Sequence, residues 1–482
     1  MKSRLGKSII LSYLVMTGGL LWADTPAPDE VVAIGSRLEL FVDQMLVDNM
    51  DGVTFRLHHP QKLPLAASPL VGYYATVIKD GDLYRGYYRG DDPAYTGKKD
   101  FSGHPGETTC YAESKDGHEW TFPDLGLFEV GGTKSNNVIL ANSPPFCHNF
   151  SPFLDTRPGV DDKERFKALA GHPGYDRKNH GEGLHAFASP DGIHWTKTGD
   201  KEVIPFDPSW PHAFDSQNVS FWSEAEQQYV CYFRTWKTKY GQLRTISRST
   251  SPDYLNWSAP VAMEPNLRGE HLYTSNTHPY FRAPHLYIAL PTRFQPDRGD
   301  STDILFMATR AGSESYERLF TEAFIRPGLD PARWGNRSNY AALNVVPTGE
   351  GEMSIYHAVS GHRYTLRTDG FISVNAGSGA GELLTKPLSF QGNDLVLNCS
   401  TSAAGSIRVE IQNPDGTPVA GFGLDDCTPV FGDSIAQTVG WVGNPDLGAL
   451  ADKPVRLRFV MTECDLYSFQ FTPSSPVGDT PE

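Results

Sequence analysis

The sequence predicts an all-β chain, a five-bladed β-propeller followed by a C-terminal β-sandwich, on three observations. The motif S-x-D-(G/Y)-x-x-W occurs three times, at 114–120, 189–195 and 251–257. The copies lie roughly 60–75 residues apart, the length of one four-stranded blade with generous loops. The same strand-and-turn grammar recurs twice more without the full motif. After Gly370 the texture changes to alternating strands separated by turns, and no long amphipathic helix appears anywhere.

Taken in order, Lys2, Arg4 and Lys7 precede a mostly apolar run to Trp22, and Asp24-Thr25-Pro26 reads as a mature start. Residues 1–23 are therefore expected to be a signal peptide, making the protein secreted or periplasmic, with no membrane contact after cleavage. The propeller is expected over 36–372. Residues 73–78 and 83–88 flank Lys79-Asp80-Gly81-Asp82, a hairpin signal, and 108–114 with the first motif completes a unit. A second unit begins near His148 and a third near Phe214, ending at Trp195 and Trp257. A fourth runs from Tyr273 to a degenerate corner at Thr309–Gly312, and a fifth from Asn339 to Gly370. Strand 53–58 is expected to pair with the last unit and close the ring, removing exposed edges. Residues 373–475 are expected to form the sandwich. In each motif the Asp side chain caps local backbone and the Trp packs between sheets, so Asp116, Asp191 and Asp253 read as structural.

The net charge of −15 argues against nucleic acid or anionic membrane as partner. The six cysteines (Cys110, Cys147, Cys231, Cys399, Cys427, Cys464) form no metal-type spacing; export permits disulfides among them, and buried thiols fit equally.

In a propeller the first-strand starts, second-strand ends and third-strand starts share one mouth. First-strand starts offer His148, Asn149, Asp215, Gln217, Asn218, Asn276, Asn336 and Asn339, with Glu270 and His271 just before the fourth unit. Second-strand ends offer Arg89, Arg234, Arg293 and His357, and third-strand starts Glu107, Glu182, Arg244 and Asp303. Carboxylates facing across a funnel suit glycosyl transfer to water, one protonated as acid, one ionised as base or nucleophile. Glu270 is the expected acid and Asp215 the base or nucleophile, with Asp303 or Glu107 as a third acid. The arginines at repeated positions suit carboxylate or sulfate, hence an anionic sugar, or else they neutralise the funnel acids. His148, Asn149, Gln217, Asn218, His271, Asn276, Asn339 and His357 complete the expected substrate contacts. No cofactor is expected. An axial divalent ion held by His148, His271, His278 or His357 has no metal-type spacing behind it.

The stretches 38–48 (LELFVDQMLVD), 107–117 (ETTCYAESKDG), 148–155 (HNFSPFLD), 213–218 (AFDSQN), 270–280 (EHLYTSNTHPY), 368–371 (TDGF) and 466–471 (LYSFQF) resemble the five-bladed β-propeller glycoside hydrolases of the invertase, levansucrase and arabinanase superfamily. The chain is most similar to secreted members labelled glycosyl hydrolase family 32-like. The resemblance implies hydrolysis of a poly- or oligosaccharide by acidic residues. It departs on the first blade, where 71–76 (VGYYAT) lacks the N-D-P-N-G-type acid of invertases, and R-D-P and E-C-P tripeptides are absent. The expected function is a secreted glycoside hydrolase. The rivals are a non-catalytic glycan-binding propeller and a sialidase-like or lyase enzyme on acidic sugars.

Overall fold

The structure, a computed structural model, describes residues 31–172, 183–207, 210 and 213–473. The expected signal peptide lies outside them. The described residues are all-β, with only short 3-10 turns besides strands. None of their helices is long and apolar enough to cross a membrane.

Five antiparallel units follow one another along the chain. The first sheet orders Tyr73–Asp80, Leu83–Asp91, Glu107–Ser114 and Val138–Leu140. The second orders Ser151–Leu154, Phe166–Ala170, His185–Ser189 and Thr196–Lys197, and the third Val219–Ser223, Gln228–Thr235, Thr245–Ser251 and Val261–Ala262. The fourth unit is split: Thr277–Tyr280, Ala283–Ala289 and Met307–Arg310 form one sheet, and His271–Leu272, Thr292–Gln295 and Ser301–Ile304 another. The fifth orders Val346–Gly349, Glu352–His357, His362–Arg367 and, from the start of the chain, Gln61–Lys62. The fifth unit returns to the first, where Leu343 N–H donates to Ala75 O at 2.8 Å and Val77 N–H to Leu343 O at 3.1 Å.

The closing strand differs from expectation. Val53–Leu57 pairs with Ile372–Ala376, and Gln61–Lys62 completes the fifth sheet instead. The Asp369-Gly370 corner feeds the chain directly into Ile372–Ala376, and Val53 and Leu57 are buried beside it. Residues 39–57, expected to open the first domain, thus bond to the C-terminal sheet. That sheet is one hydrogen-bonded body of eight strands, built on the antiparallel pair Asp394–Gln412 and Arg456–Thr472. Its core includes Leu397, Ile407, Val409, Phe459, Met461 and Phe469, with Phe390 stacked on Phe471. All six cysteines are buried free thiols.

The repeated motif behaves as an Asx turn. Asp191 Oδ1 accepts from Ile193 N–H at 2.9 Å and His194 N–H at 2.8 Å, and Asp253 Oδ1 from Leu255 N–H at 2.9 Å and Asn256 N–H at 2.7 Å. Partial burial pushes the Asp191 carboxyl up, yet these donors hold it at about 2. Glycine follows the Asp for two reasons. Gly117 and Gly192 have φ of 68° and 77°, and a Cβ on Gly192 would stand 2.4 Å from Tyr87 Oη of the first sheet. The third copy places Tyr254 at φ 71° and packs its ring against Phe153 and Tyr229.

Two ion clusters bind the C-terminal sheet to the fourth unit. Arg310 donates to Asp43 at 2.6 Å and Glu39 at 3.0 Å. Asp369 accepts from Tyr280 Oη at 2.7 Å, Arg282 at 2.5 Å, Asn398 at 3.0 Å and Ser468 Oγ at 2.8 Å. Burial pushes the Glu39 carboxyl up, but Arg310 and His285 hold it at about 2.

Two outcomes follow from these contacts. Gly192→Ala should lower unfolding free energy by about 1–3 kcal/mol in urea titration. Glu39 sits below its unfolded value of 4.5, so its contribution is complete above that pH and disappears as pH falls toward about 2. Urea midpoints measured down this range should fall, and Glu39→Gln, though less stable near neutrality, should lose less on acidification.

Candidate active site

Three approaches to inner strands meet at one place. The 3-10 turn Phe146–His148 delivers His148 ahead of the second sheet, and Asp215 stands just ahead of Val219–Ser223. Glu107 opens its strand, while Arg89 and Arg234 lie near the ends of Leu83–Asp91 and Gln228–Thr235. Tyr74, Phe214 and Asn276, near the starts of the first strands of the first, third and fourth units, have φ of 50°, 63° and 48°. Left-handed backbone at non-glycine residues is costly and gathers at functional mouths.

His148 bridges two carboxylates. Its Nδ1 lies 2.9 Å from Glu107 Oε1, and its Nε2 lies 3.4 Å from Asp215 Oδ1. His172 Nε2 is 3.3 Å from the same Oδ1, and Arg234 Nη2 donates to Oδ2 at 2.5 Å. Gly103 N–H donates to Glu107 Oε2 at 3.1 Å, and Arg89 Nη1 rests 2.9 Å from His148 Nδ1 and 3.8 Å from Glu107 Oε1. The Asp215 side chain keeps 23% of its exposure against 3% for His148, so solvent reaches the pair from the Asp215 side. Burial pushes the Asp215 carboxyl up, but Arg234 and the two imidazoles hold it well below its ordinary value. Glu107 is likewise lowered, His148 and Arg89 outweighing burial. Burial dominates at His172 and favours its neutral form.

Beside this cluster lie Tyr74, Tyr273 and Tyr340. Tyr74 and Tyr340 stack at 5.7 Å between centroids, and Tyr273 and Tyr340 meet at 5.5 Å. Arg89 stands over Tyr74, and Arg234 and Arg244 over Tyr273, each at 5.0 Å. Burial pushes the Tyr74 and Tyr340 phenols up, so they keep their protons. The result is an arginine-rich, aromatic pit with two ionised acids on one wall.

The structure joins Asp215, Glu107, His148, Arg89 and Arg234, and separates the other expected residues. Glu270 is only 3% exposed, and its two oxygens accept from Arg318 at 2.6 and 3.1 Å, with Leu267 N–H at 3.1 Å. It pairs with Arg318 rather than with Asp215. Asp303 is held bidentately by Arg293 at 2.9 and 2.5 Å, in a separate cleft of about 860 Å³. His271 accepts from Arg244 N–H at 3.1 Å and packs on Trp236.

Asn149, Gln217, Asn218, Asn276, Asn339 and His357 are at most 1% exposed and bond to protein groups. Asn149 donates to Gly171 O at 2.8 Å and Phe214 O at 2.6 Å, Asn218 to Ser216 O at 3.0 Å, and Gln217 to Ala75 O at 3.0 Å. Asn276 donates to Ala341 O at 2.6 Å, Asn339 to Thr302 O at 2.8 Å, and His357 Nε2 lies 3.2 Å from Asn339 Oδ1. His278 is also structural: its Nε2 accepts from Val345 N–H at 3.0 Å, which fixes it neutral, and burial lowers it to about 4. Glu182 lies outside the described residues. His172 was missed, although the rule that selects Arg89 and Arg234 at second-strand ends reaches it just past Phe166–Ala170.

No protein-family model and no curated protein matches the chain. Among solved structures it is similar to a glycoside hydrolase family 43 arabinoxylan arabinofuranohydrolase from Bacillus subtilis, at 15% identity over 83% of this chain and 96% of that one, TM-score 0.37. It is similar to a family 32 β-fructofuranosidase from Bombyx mori, at 11% identity over 87% and 95%, TM-score 0.36. An N-acetylgalactosamine deacetylase from F. plautii matches at 11% identity over 85% and 95%, TM-score 0.40.

Because Glu270 serves Arg318, Glu270→Gln should cost about 3 kcal/mol of stability in chemical denaturation. Its kcat, measured below the melting point, should stay within about threefold of wild type, against the at least hundredfold loss expected of a general acid.

Proposed function

We propose that this chain is an exported glycan-acting hydrolase, its five units forming a five-bladed β-propeller and its C-terminal sheet folding over as a β-sandwich. The observation that supports this best is the run Glu107–His148–Asp215, an imidazole set between two carboxylates at a pit that solvent reaches. In this reading Glu107, Arg89 and Gly103 N–H fix the His148 ring at its Nδ1 edge, and the His148–Asp215 pair takes a proton from water. Asp215, fixed by Arg234, faces the positive charge that builds at a sugar carbon as the leaving oxygen departs.

The substrate is an acidic glycan. Arg89 and Arg244 are partly exposed and Arg337 exposed around the tyrosines, and guanidinium groups bind carboxylate or sulfate bidentately. Arg234 is spent on Asp215 and 2% exposed, so it acts as a positioning residue.

The lowered Asp215 and Glu107 with the protonated phenols favour a second reading, eliminative cleavage of a uronate. There the arginines neutralise the uronate, His148 takes the C5 proton, the C4–O bond breaks as the double bond forms, and a tyrosine protonates the leaving oxygen.

The test is a panel of uronic, sulfated and neutral polysaccharides. Released reducing ends mark hydrolysis, and an ultraviolet-absorbing unsaturated product marks elimination. Asp215→Asn and His148→Gln should each lower kcat by about 10²–10⁴-fold. Full turnover by the double variant, or saturable binding across the panel with no product, would overturn the enzymatic reading.

A further inference from the structure

Asp215 Oδ1 is buried and accepts no hydrogen bond among the described residues, although two imidazole nitrogens face it, His148 Nε2 at 3.4 Å and His172 Nε2 at 3.3 Å. The ligating atoms of the three residues all lie within 4.8 Å of one another. An imidazolium donating to this oxygen would close to about 2.7–2.9 Å, as charge-assisted bonds do. Both contacts are longer than that, so Oδ1 faces the two imidazoles without a short charge-assisted bond to either.

The spacing suits a cation between them. Bonds of about 2.0–2.1 Å meeting at a tetrahedral angle place ligand atoms about 3.3–3.4 Å apart. Both nitrogen–oxygen separations have that length. The surroundings suit it too: a ligating imidazole ordinarily donates its other N–H to a carboxylate, Glu107 Oε1 stands 2.9 Å from His148 Nδ1 to take that role, and Arg234 donates to the far oxygen, Oδ2.

We propose that His148 Nε2, His172 Nε2 and Asp215 Oδ1 bind a divalent transition-metal ion of the zinc class. Two imidazoles and one carboxylate select a borderline metal over calcium or magnesium, which take oxygen shells. Three protein ligands leave a fourth position for water or a substrate oxygen, the pattern of catalytic rather than structural sites, and with the ion bound a water at that position would replace the His148–Asp215 pair as the base. Arg89 and Arg234 balance the charges of Glu107 and Asp215, so an anionic fourth ligand tightens the site. His172 thereby gains a role that hydrolysis by protein groups alone does not give it.

The test uses the full-length chain stripped with chelator and titrated with zinc by calorimetry. One ion per chain is expected, with calcium at least about 100-fold weaker. His172→Ala should weaken zinc by at least about 100-fold, and Glu107→Gln, which keeps every ligand, by about 10–100-fold. Circular-dichroism melts of each variant confirm folding. Cobalt in place of zinc should give the strong visible absorption of a four-coordinate site, and His172→Ala should abolish it. Failure to bind zinc, equal affinity in wild type and His172→Ala, or calcium binding as tightly as zinc would overturn the proposal. The readout is binding, so a chain that cleaves glycans without a zinc site sinks this inference alone, and one that takes zinc but cleaves nothing sinks only the hydrolase reading.

Discussion

Side-chain amides hold the inner strands together where backbone ladders cannot. No continuous ladder joins the first strands of successive units, and buried carbonyls ahead of them take side-chain donors instead of, or besides, backbone ones. Asn149 serves Phe214 O and Gly171 O, Asn276 serves Ala341 O, and Gln217 reaches Ala75 O across the assembly. The pit depends on this. Phe214, in left-handed backbone with its carbonyl held by Asn149 and Asn218, is what sets the neighbouring Asp215 against His148.

That dependence explains what could be read from the sequence. The units were legible because Asp-Gly corners and aromatic alternation are local signals, and Asp116, Asp191 and Asp253 cap turns as their motif implies. The polar residues at strand starts were visible too, but an Asn bound to a carbonyl of the next unit and an Asn bound to sugar look alike in one dimension. Glu270 misled for a similar reason. Its partner Arg318 is 48 residues on, with no periodicity to mark the pair. The Glu107–His148–Asp215 grouping was half legible: positional rules put all three at one mouth, and only coordinates show that the imidazole joins them.

Charge is sorted with the same economy. Glu270, Asp303 and Glu39 each meet an arginine in a closed pair away from the pit, at Arg318, Arg293 and Arg310. In the pit the arginines exceed the acids, and tyrosine faces take up the surplus. A chain of net charge −15 thus keeps a basic concavity, which draws anions inward while the outer surface repels them.

Residues near both ends of the chain clasp each other. Gln61–Lys62 complete a sheet begun by Glu352–His357, Val53–Leu57 lie along Ile372–Ala376, and Arg456 reaches back to Asp48. A nascent polypeptide emerging from the ribosome cannot finish its fifth unit with its own neighbours alone; Gln61–Lys62 must wait for His362–Arg367. Cutting away the C-terminal sheet would strip strand partners from residues 39–57.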